Sequence, residues 1–188
     1  MSNTPLRIPY IHTPRTVITL QRPENIGLLL RYYIDNHAHL APWDPLRPPD
    51  FHTPEAASRR AHAAWENFRQ GNSVQLVALD TSETEVVGIC NFANIVYGAF
   101  MACHMGYSIA HKHQGQGLMF EIADAAIAYI FSELDLHRVM ANHIPENIRS
   151  RNLLARLGFE TEGTAKSYLK IAGQWRDHIL TSKLNPAH

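Results

Sequence analysis

The stretch Gln114-Gly115-Gln116-Gly117-Leu118-Met119 decides how this chain is read. Before it stands Met105-Gly106-Tyr107-Ser108-Ile109, an apolar segment with strand character. Behind it, apolar residues recur at helical spacing to about Leu134. Two glycines at alternate positions between a strand and a helix let the backbone approach a bulky group closely. The first N–H groups of the helix have no partners within it and carry the positive end of its dipole, so they suit phosphate oxygens. On these six residues alone, a phosphate-gripping loop and an ordinary strand-to-helix turn stand equally open.

Working outward, the helix from Gly117 to Phe131 presents Leu118, Ile122, Ala125, Ala126 and Tyr129 as a core-facing stripe. Arg138 to Asn142 reads as a strand reached through that helix. Such a crossover makes it parallel to the strand ending at Ile109. Upstream, Ser73–Leu79, Val86–Phe92 and Phe100–Ile109, separated by polar turns, read as an antiparallel meander. Arg15–Arg22 is a first short strand, and Glu24–Asn36 a helix with Ile26, Leu29, Leu30, Tyr33 and Ile34 in phase. Leu40–Pro45 is a stiff loop, because prolines follow at 42, 45 and 48. Thr53-Pro54-Glu55 is a helix start, with Gly71 as the stop. Asn147–Leu157 is a shorter helix ended by Gly158, and a hairpin turning at Ala172-Gly173 closes the chain. The expectation is one α/β domain over residues 1–188, its first 14 residues a loose arm, with a mixed, mostly antiparallel sheet flanked by helices.

Bulk properties exclude several functions. The formal net charge is +0 over 188 residues, against a broad electrostatic grip on DNA or anionic membrane. No apolar run reaches the roughly 18 residues of a membrane span. The proline-rich start has no apolar signal core, so a cytoplasmic location is expected. Cys90 and Cys103 are too few for a disulfide framework and read as small buried residues on neighbouring strands, not directly opposed. Twelve histidines raise the question of a metal, but His37/His39 and His111/His113 lack the partners a zinc site needs, and none is expected.

Two more motifs bear on chemistry. Asn142 is followed by Pro145-Glu146-Asn147-Ile148-Arg149-Ser150, which runs into Leu157-Gly158-Phe159. Asn147 suits a helix cap, and Ser150 lies one turn inside the helix. Together with the glycine loop, this set resembles the GNAT superfamily of acetyl-CoA-dependent N-acetyltransferases over about Arg15 to Leu184. That family's phosphate loop is Gln/Arg-x-x-Gly-x-Gly/Ala, matched by Gln114 and Gly117, with Met119 replacing the last small residue. Its Asn-x-x-Ser/Ala segment and Gly-Phe pair are matched by Asn147, Ser150 and Gly158-Phe159. Within the family, Asn36–Pro45, Ala102–Ile109, Gln114–Phe120, Leu153–Glu162 and Gly173–Leu180, above all the string Ala172-Gly173-Gln174-Trp175-Arg176-Asp177-His178, look most like the subfamily that acetylates the N-terminal alanine of a ribosomal protein.

The resemblance implies a GNAT fold, with acetyl-CoA in a V-shaped splay between two parallel strands. Backbone groups of Tyr107, Ser108 and Ile109 would pair with pantetheine. N–H groups of Gln114, Gly115, Gln116, Gly117, Leu118 and Met119 would hold the pyrophosphate, with Met119's side chain turned into the core. Asn142, Asn147 and Arg149 are further cofactor contacts. His111, Lys112 and His113 could reach a terminal phosphate or be a solvated loop. The proton-donating tyrosine of many members falls at Leu154, and Ser150 is taken as its substitute proton donor. A base used in a related subfamily falls at Leu169, so the base is not given by the resemblance; water-linked carboxylates such as Glu162 or Asp44 are candidates. Tyr32, Trp43, Tyr168 and Trp175 are the aromatic candidates for the acceptor wall.

Elementary acid–base chemistry favours one acceptor. An α-amine with pKa roughly 7.7–8.0 is about one-tenth neutral near pH 7, whereas a lysine amine near ~10.4 is neutral about once in a few thousand. A site without a strong base suits a protein N-terminus. The resemblance thus implies transfer to the N-terminal alanine of a ribosomal protein. A small-molecule amine acceptor, or a non-enzymatic acetyl-CoA-binding factor associated with the ribosome, stay open as alternatives.

Overall fold

Tyr10–His12 (β1), Thr16–Leu20 (β2), Val74–Asp80 (β3), Val86–Val96 (β4) and Ala102–Ile109 (β5) pair antiparallel in chain order. Arg138–Met140 (β6) then lies parallel to β5. The last strand, Gln174–Leu184 (β8), inserts between β6 and Glu160–Ile171 (β7) to complete an eight-stranded sheet. The helices are Ile26–Asp35 (α1), His37–Leu40 (α2), Pro54–Arg69 (α3), Leu118–Leu134 (α4) and Ile148–Arg156 (α5). This computed structural model describes residues 7–188.

Local chemistry explains the boundaries. Thr53 Oγ1 accepts from the Ala56 N–H at 3.2 Å and Pro54 takes the first position of α3, as its sequence predicts. Asn147 Oδ1 accepts from the Ser150 N–H at 3.1 Å and caps α5. Two expectations need correction. The arm over residues 1–14 is not loose throughout: its first six residues lie outside the described ones, but Tyr10–His12 pairs with β2, and Ile11 packs on the core. Three residues are too few to show a period. The segment entering the proline loop is also more regular than expected. α2 continues after α1 through Leu40, whose side chain is buried, and the irregular path begins at Ala41.

The sheet is covered on both faces, which is why Val86–Cys90 of β4 is buried throughout. Ile122, Ala126 and Ile130 of α4 pack with Cys103, Met105 and Val139 on one face. Leu29 and Tyr32 of α1 pack with Val77 and Ile89 on the other. Cys90 stands opposite Tyr107, not Cys103. Both cysteines are free, and burial pushes both thiols up, Cys103 to about 12, so neither is a ready nucleophile.

Gly88 on β4 lets α4 and β5 close over the sheet. A Cβ there would meet Ile122 Cδ1 at 3.1 Å and both Ile109 Cδ1 and the Ser108 carbonyl oxygen at 3.2 Å. The Ser108 oxygen is backbone in a paired strand and has little room to yield. Gly88→Ala should therefore destabilise by about 1–3 kcal/mol. A urea midpoint equal to wild type would show that this contact can relax.

Candidate active site

β5 and β6 pair over only three residue pairs, from Ala102↔Arg138 to His104↔Met140. Past that point β6 turns its hydrogen bonds toward β8: the Ala141 N–H donates to the Thr181 carbonyl at 3.0 Å, and that of His143 to Ile179 at 3.2 Å. Residues 105–109 are left without a β6 partner, and the two strands open into a V. The loop that follows β5 stands at its open end.

That loop has the conformation the glycines suggested. Gly115 and Gly117 both adopt φ of 72°, a left-handed region closed to most side chains. Among the described residues, nothing accepts a hydrogen bond from the backbone N–H groups of Gly115 to Phe120. Alternating left-handed residues ahead of a helix turn such groups toward one concavity, suited to an anion. Leu118 and Met119 are buried in the core, so methionine in place of a small residue leaves the backbone free to act. Gln114 braces the loop from the side. Its Oε1 accepts from Arg149 Nη1 at 2.5 Å, so its amide nitrogen donates to His39 Nε2 at 2.8 Å. Burial, with His111 next in effect, holds His39 below the usual imidazole range, which keeps this acceptor unprotonated.

Two hydroxyl pairs flank the splay. On the α5 face, the Tyr107 phenol and Ser150 Oγ lie 2.6 Å apart. On the α1 face, the Tyr32 phenol and Ser108 Oγ lie 2.8 Å apart. Burial raises both phenols, Tyr107 to about 12, so both are protonated at any working pH. Tyr32 is deeply buried, with its phenol against Ser108. At the end of β6, Asn142 donates from Nδ2 to the Tyr168 phenol at 3.4 Å and accepts from the Thr181 N–H at 3.2 Å. Tyr168 reaches it because β7 bulges between Ala165 and Leu169, where the Ser167 N–H binds Asp177 Oδ1 at 2.8 Å.

The structure brings together most of the residues read from the sequence, but not Glu162. Its carboxylate accepts from Ser182 Oγ at 2.8 Å and from Arg138 Nη2 at 2.9 Å, beside the closed end of the V. The Ser182 hydrogen bond, then Arg138, hold it below the usual carboxylate range, which makes it a poorer base. Glu162→Gln should leave kcat within about threefold, since general-base loss costs roughly 10²–10⁴-fold. The sign for stability is opposite in interest: a depressed carboxylate contributes above its unfolded pKa and loses that contribution as pH falls through the folded value. The variant should therefore differ from wild type in thermal midpoint near neutrality and converge with it at acid pH.

Asp44 is also engaged, with Arg47 Nη2 at 2.6 Å. Its loop docks on the final hairpin. The Ala172 N–H donates to the Asp44 carbonyl at 2.9 Å, and Leu46 packs over Gly173. Trp43, Leu46 and Trp175 remain exposed there, at 41%, 74% and 64%. Among the described residues no cluster of three or more histidine, cysteine or acidic side chains could hold a metal. Nor is any helix among them long and apolar enough to cross a membrane.

A parallel pair that splays beside a glycine-bearing strand–loop–helix with unpartnered N–H groups is the arrangement expected of an acyltransferase that grips a nucleotide-bearing thioester. Residues 17–160 match the acetyltransferase (GNAT) domain, and the chain belongs to the GNAT acetyltransferase family. It is 45% identical over 174 residues to the [ribosomal protein uS5]-alanine N-acetyltransferase of Escherichia coli K12, covering 93% of this chain and 90% of that one. It is 30% identical to the probable N-acetyltransferase YjcK of Bacillus subtilis, over 87% and 88% of the two chains. Among solved structures it superposes on the ribosomal-protein-S5-alanine acetyltransferase of Vibrio fischeri with a TM-score of 0.90, at 37% identity over 94% and 97%. With Mycobacterium smegmatis RimJ in complex with CoA-disulfide the TM-score is 0.84, at 28% identity over 98% and 87%. The unpartnered N–H groups of the loop fit a pyrophosphate of that kind.

Proposed function

We propose that this enzyme transfers acetyl from acetyl-CoA to the N-terminal α-amine of a ribosomal protein, an alanine on the uS5 homologue, in the cytoplasm. The observation that carries this reading is the 45% identity, at near full length, to an enzyme with that acceptor. The site agrees with it. Neither Glu162 nor Asp44 is free to deprotonate an ammonium, and an α-amine, already partly neutral near pH 7, needs only a weak base where a lysine amine needs a strong one.

In this reading the N–H groups of Gly115 to Phe120 bind the donor's pyrophosphate, with Arg149 and Gln114 as neighbours. The backbone of Tyr107–Ile109 orients the acyl end. Asn142 and Asn147 stand on the opposite lip, Asn147 by fixing the first turn of α5. Ser150, paired with Tyr107, holds a proton for the departing sulfur. Trp43, Leu46, Tyr168 and Trp175 form the wall along which the acceptor chain enters. The open, apolar character of that wall suits an extended peptide.

A peptide carrying the uS5 N-terminus should be acetylated only at its α-amine, and the same peptide with a blocked terminus and an internal lysine should turn over far more slowly. Mass detection across peptides, polyamines and amino sugars reads this. An inert alanine peptide beside a rapidly acetylated small amine would overturn it.

A further inference from the structure

We propose that His178 is the group that takes the proton from the acceptor amine. This rests on the proposed acetyl transfer and supplies the base it lacks. His178 is buried, at 4% exposure, on β8. Its Nδ1 lies 3.1 Å from the Arg176 carbonyl oxygen. A carbonyl only accepts, so Nδ1 carries the hydrogen and Nε2 the lone pair. Nε2 has no hydrogen-bond partner among the described residues and keeps some contact with solvent. The ring is thus oriented by its own strand, with Nε2 left available.

The register places it on the acceptor side. Side chains alternate along a strand. Through His104↔Met140 and Met140↔Ser182, Ser108, Asn142 and His178 fall on one face of the sheet. That face is the one on which Tyr32 of α1 meets Ser108. Ser150 and Tyr107 lie on the opposite face, so proton acceptor and proton donor stand on either side of the splay. The Tyr168 ring, carried by the β7 bulge, has its centroid 5.6 Å from that of His178 and links it to Asn142. The charged groups around it are already occupied. Arg176 pairs with Glu146 at 3.0 Å, and Asp177 holds the Ser167 N–H. Tyr168 from β7 is the titratable neighbour packed against its ring, whereas His143 pairs with Ile179 and so faces the other side of the sheet, its Nδ1 engaged with the Ile144 carbonyl.

The step balances simply. The amine nitrogen forms its bond to the acetyl carbon as the C–S bond breaks. The neutral amine's proton goes to His178 Nε2 and the departing thiolate takes the Ser150 proton; Ser150 is re-protonated through Tyr107 from solvent and His178 returns its proton to solvent, so the enzyme ends as it began.

The test compares His178→Gln and His178→Ala with wild type. The wild-type enzyme on the alanine peptide decides the acceptor reading. The variant-to-wild-type ratio, on that peptide or on whichever amine wild type accepts, decides the base. The expected result is a fall in kcat of about a hundredfold or more, an unchanged KM for acetyl-CoA, and partial recovery of His178→Ala by free imidazole. Both variants within threefold of wild-type kcat would overturn it. Because the site is buried, carbon-13 histidine spectra of the wild-type enzyme give a reading without substitution. One histidine titrating with the acid limb of kcat supports the assignment, and none doing so overturns it.

Discussion

Ser150→Ala should lower the single-turnover rate by about a hundredfold while leaving the dissociation constant for acetyl-CoA within about threefold, the scale of a lost general acid. Ser150 sits in the first turn of α5, where Asn147 takes its N–H, and its Oγ lies 2.6 Å from the Tyr107 phenol. A lone serine hydroxyl is a weak acid. A serine that can be re-protonated at once by a phenol is a better one, and burial keeps that phenol protonated, with its pKa pushed to about 12. Tyr107→Phe removes the second proton but leaves the first, so a loss of roughly tenfold is expected. The double variant should be no slower than Ser150→Ala, because groups acting as one unit are not additive. Single-turnover measurement keeps product release from hiding the chemistry. If Ser150→Ala matches wild type at saturating acetyl-CoA, Ser150 is an ordinary helix residue and the proton reaches sulfur from water. If the two single losses simply add, the hydroxyls act apart.

Much of this arrangement was legible in the residues, and the reason is local. The glycine loop, the Thr53 and Asn147 caps and the α4 stripe are each written within a few neighbouring positions. Each appears where its chemistry demands it. The parallel placement of β6 was legible too, because a helical crossover leaves little choice. What stayed hidden depends on pairing across distance. Tyr107 and Ser150 are 43 positions apart, and nothing in either segment announces the other. Glu162 looked like an available acid, because the sequence does not show that β8 would insert between β6 and β7 and bring Ser182 to it. Tyr168 faces Asn142 only because three residues bulge out of β7. His178 was quoted only within the motif string, while the tautomer that gives it meaning is set by a carbonyl two residues away.

The loop itself admits a sharper experiment. Gly115→Ala with Gly117→Ala should weaken acetyl-CoA binding by roughly 30- to 1000-fold and leave the rate at saturation nearly unchanged. The figure follows from about 1–2 kcal/mol for each left-handed residue given a Cβ, with about 1.4 kcal/mol per tenfold in affinity. Crowding within the protein is not the cause. A Cβ on Gly115 would meet nothing within 4 Å, and one on Gly117 only Arg156 Nη1 at 3.8 Å. The effect is conformational: the free loop relaxes to a form in which its N–H groups no longer converge, and binding must restore the strained one. That account separates itself from simple bulk, because asparagine is larger than alanine yet enters the left-handed region more readily. Gly117→Asn should therefore bind acetyl-CoA more tightly than Gly117→Ala. Calorimetry on the two variants decides it. An asparagine variant weaker than the alanine one would show that space beside the bound pyrophosphate, and not backbone conformation, is what these glycines provide.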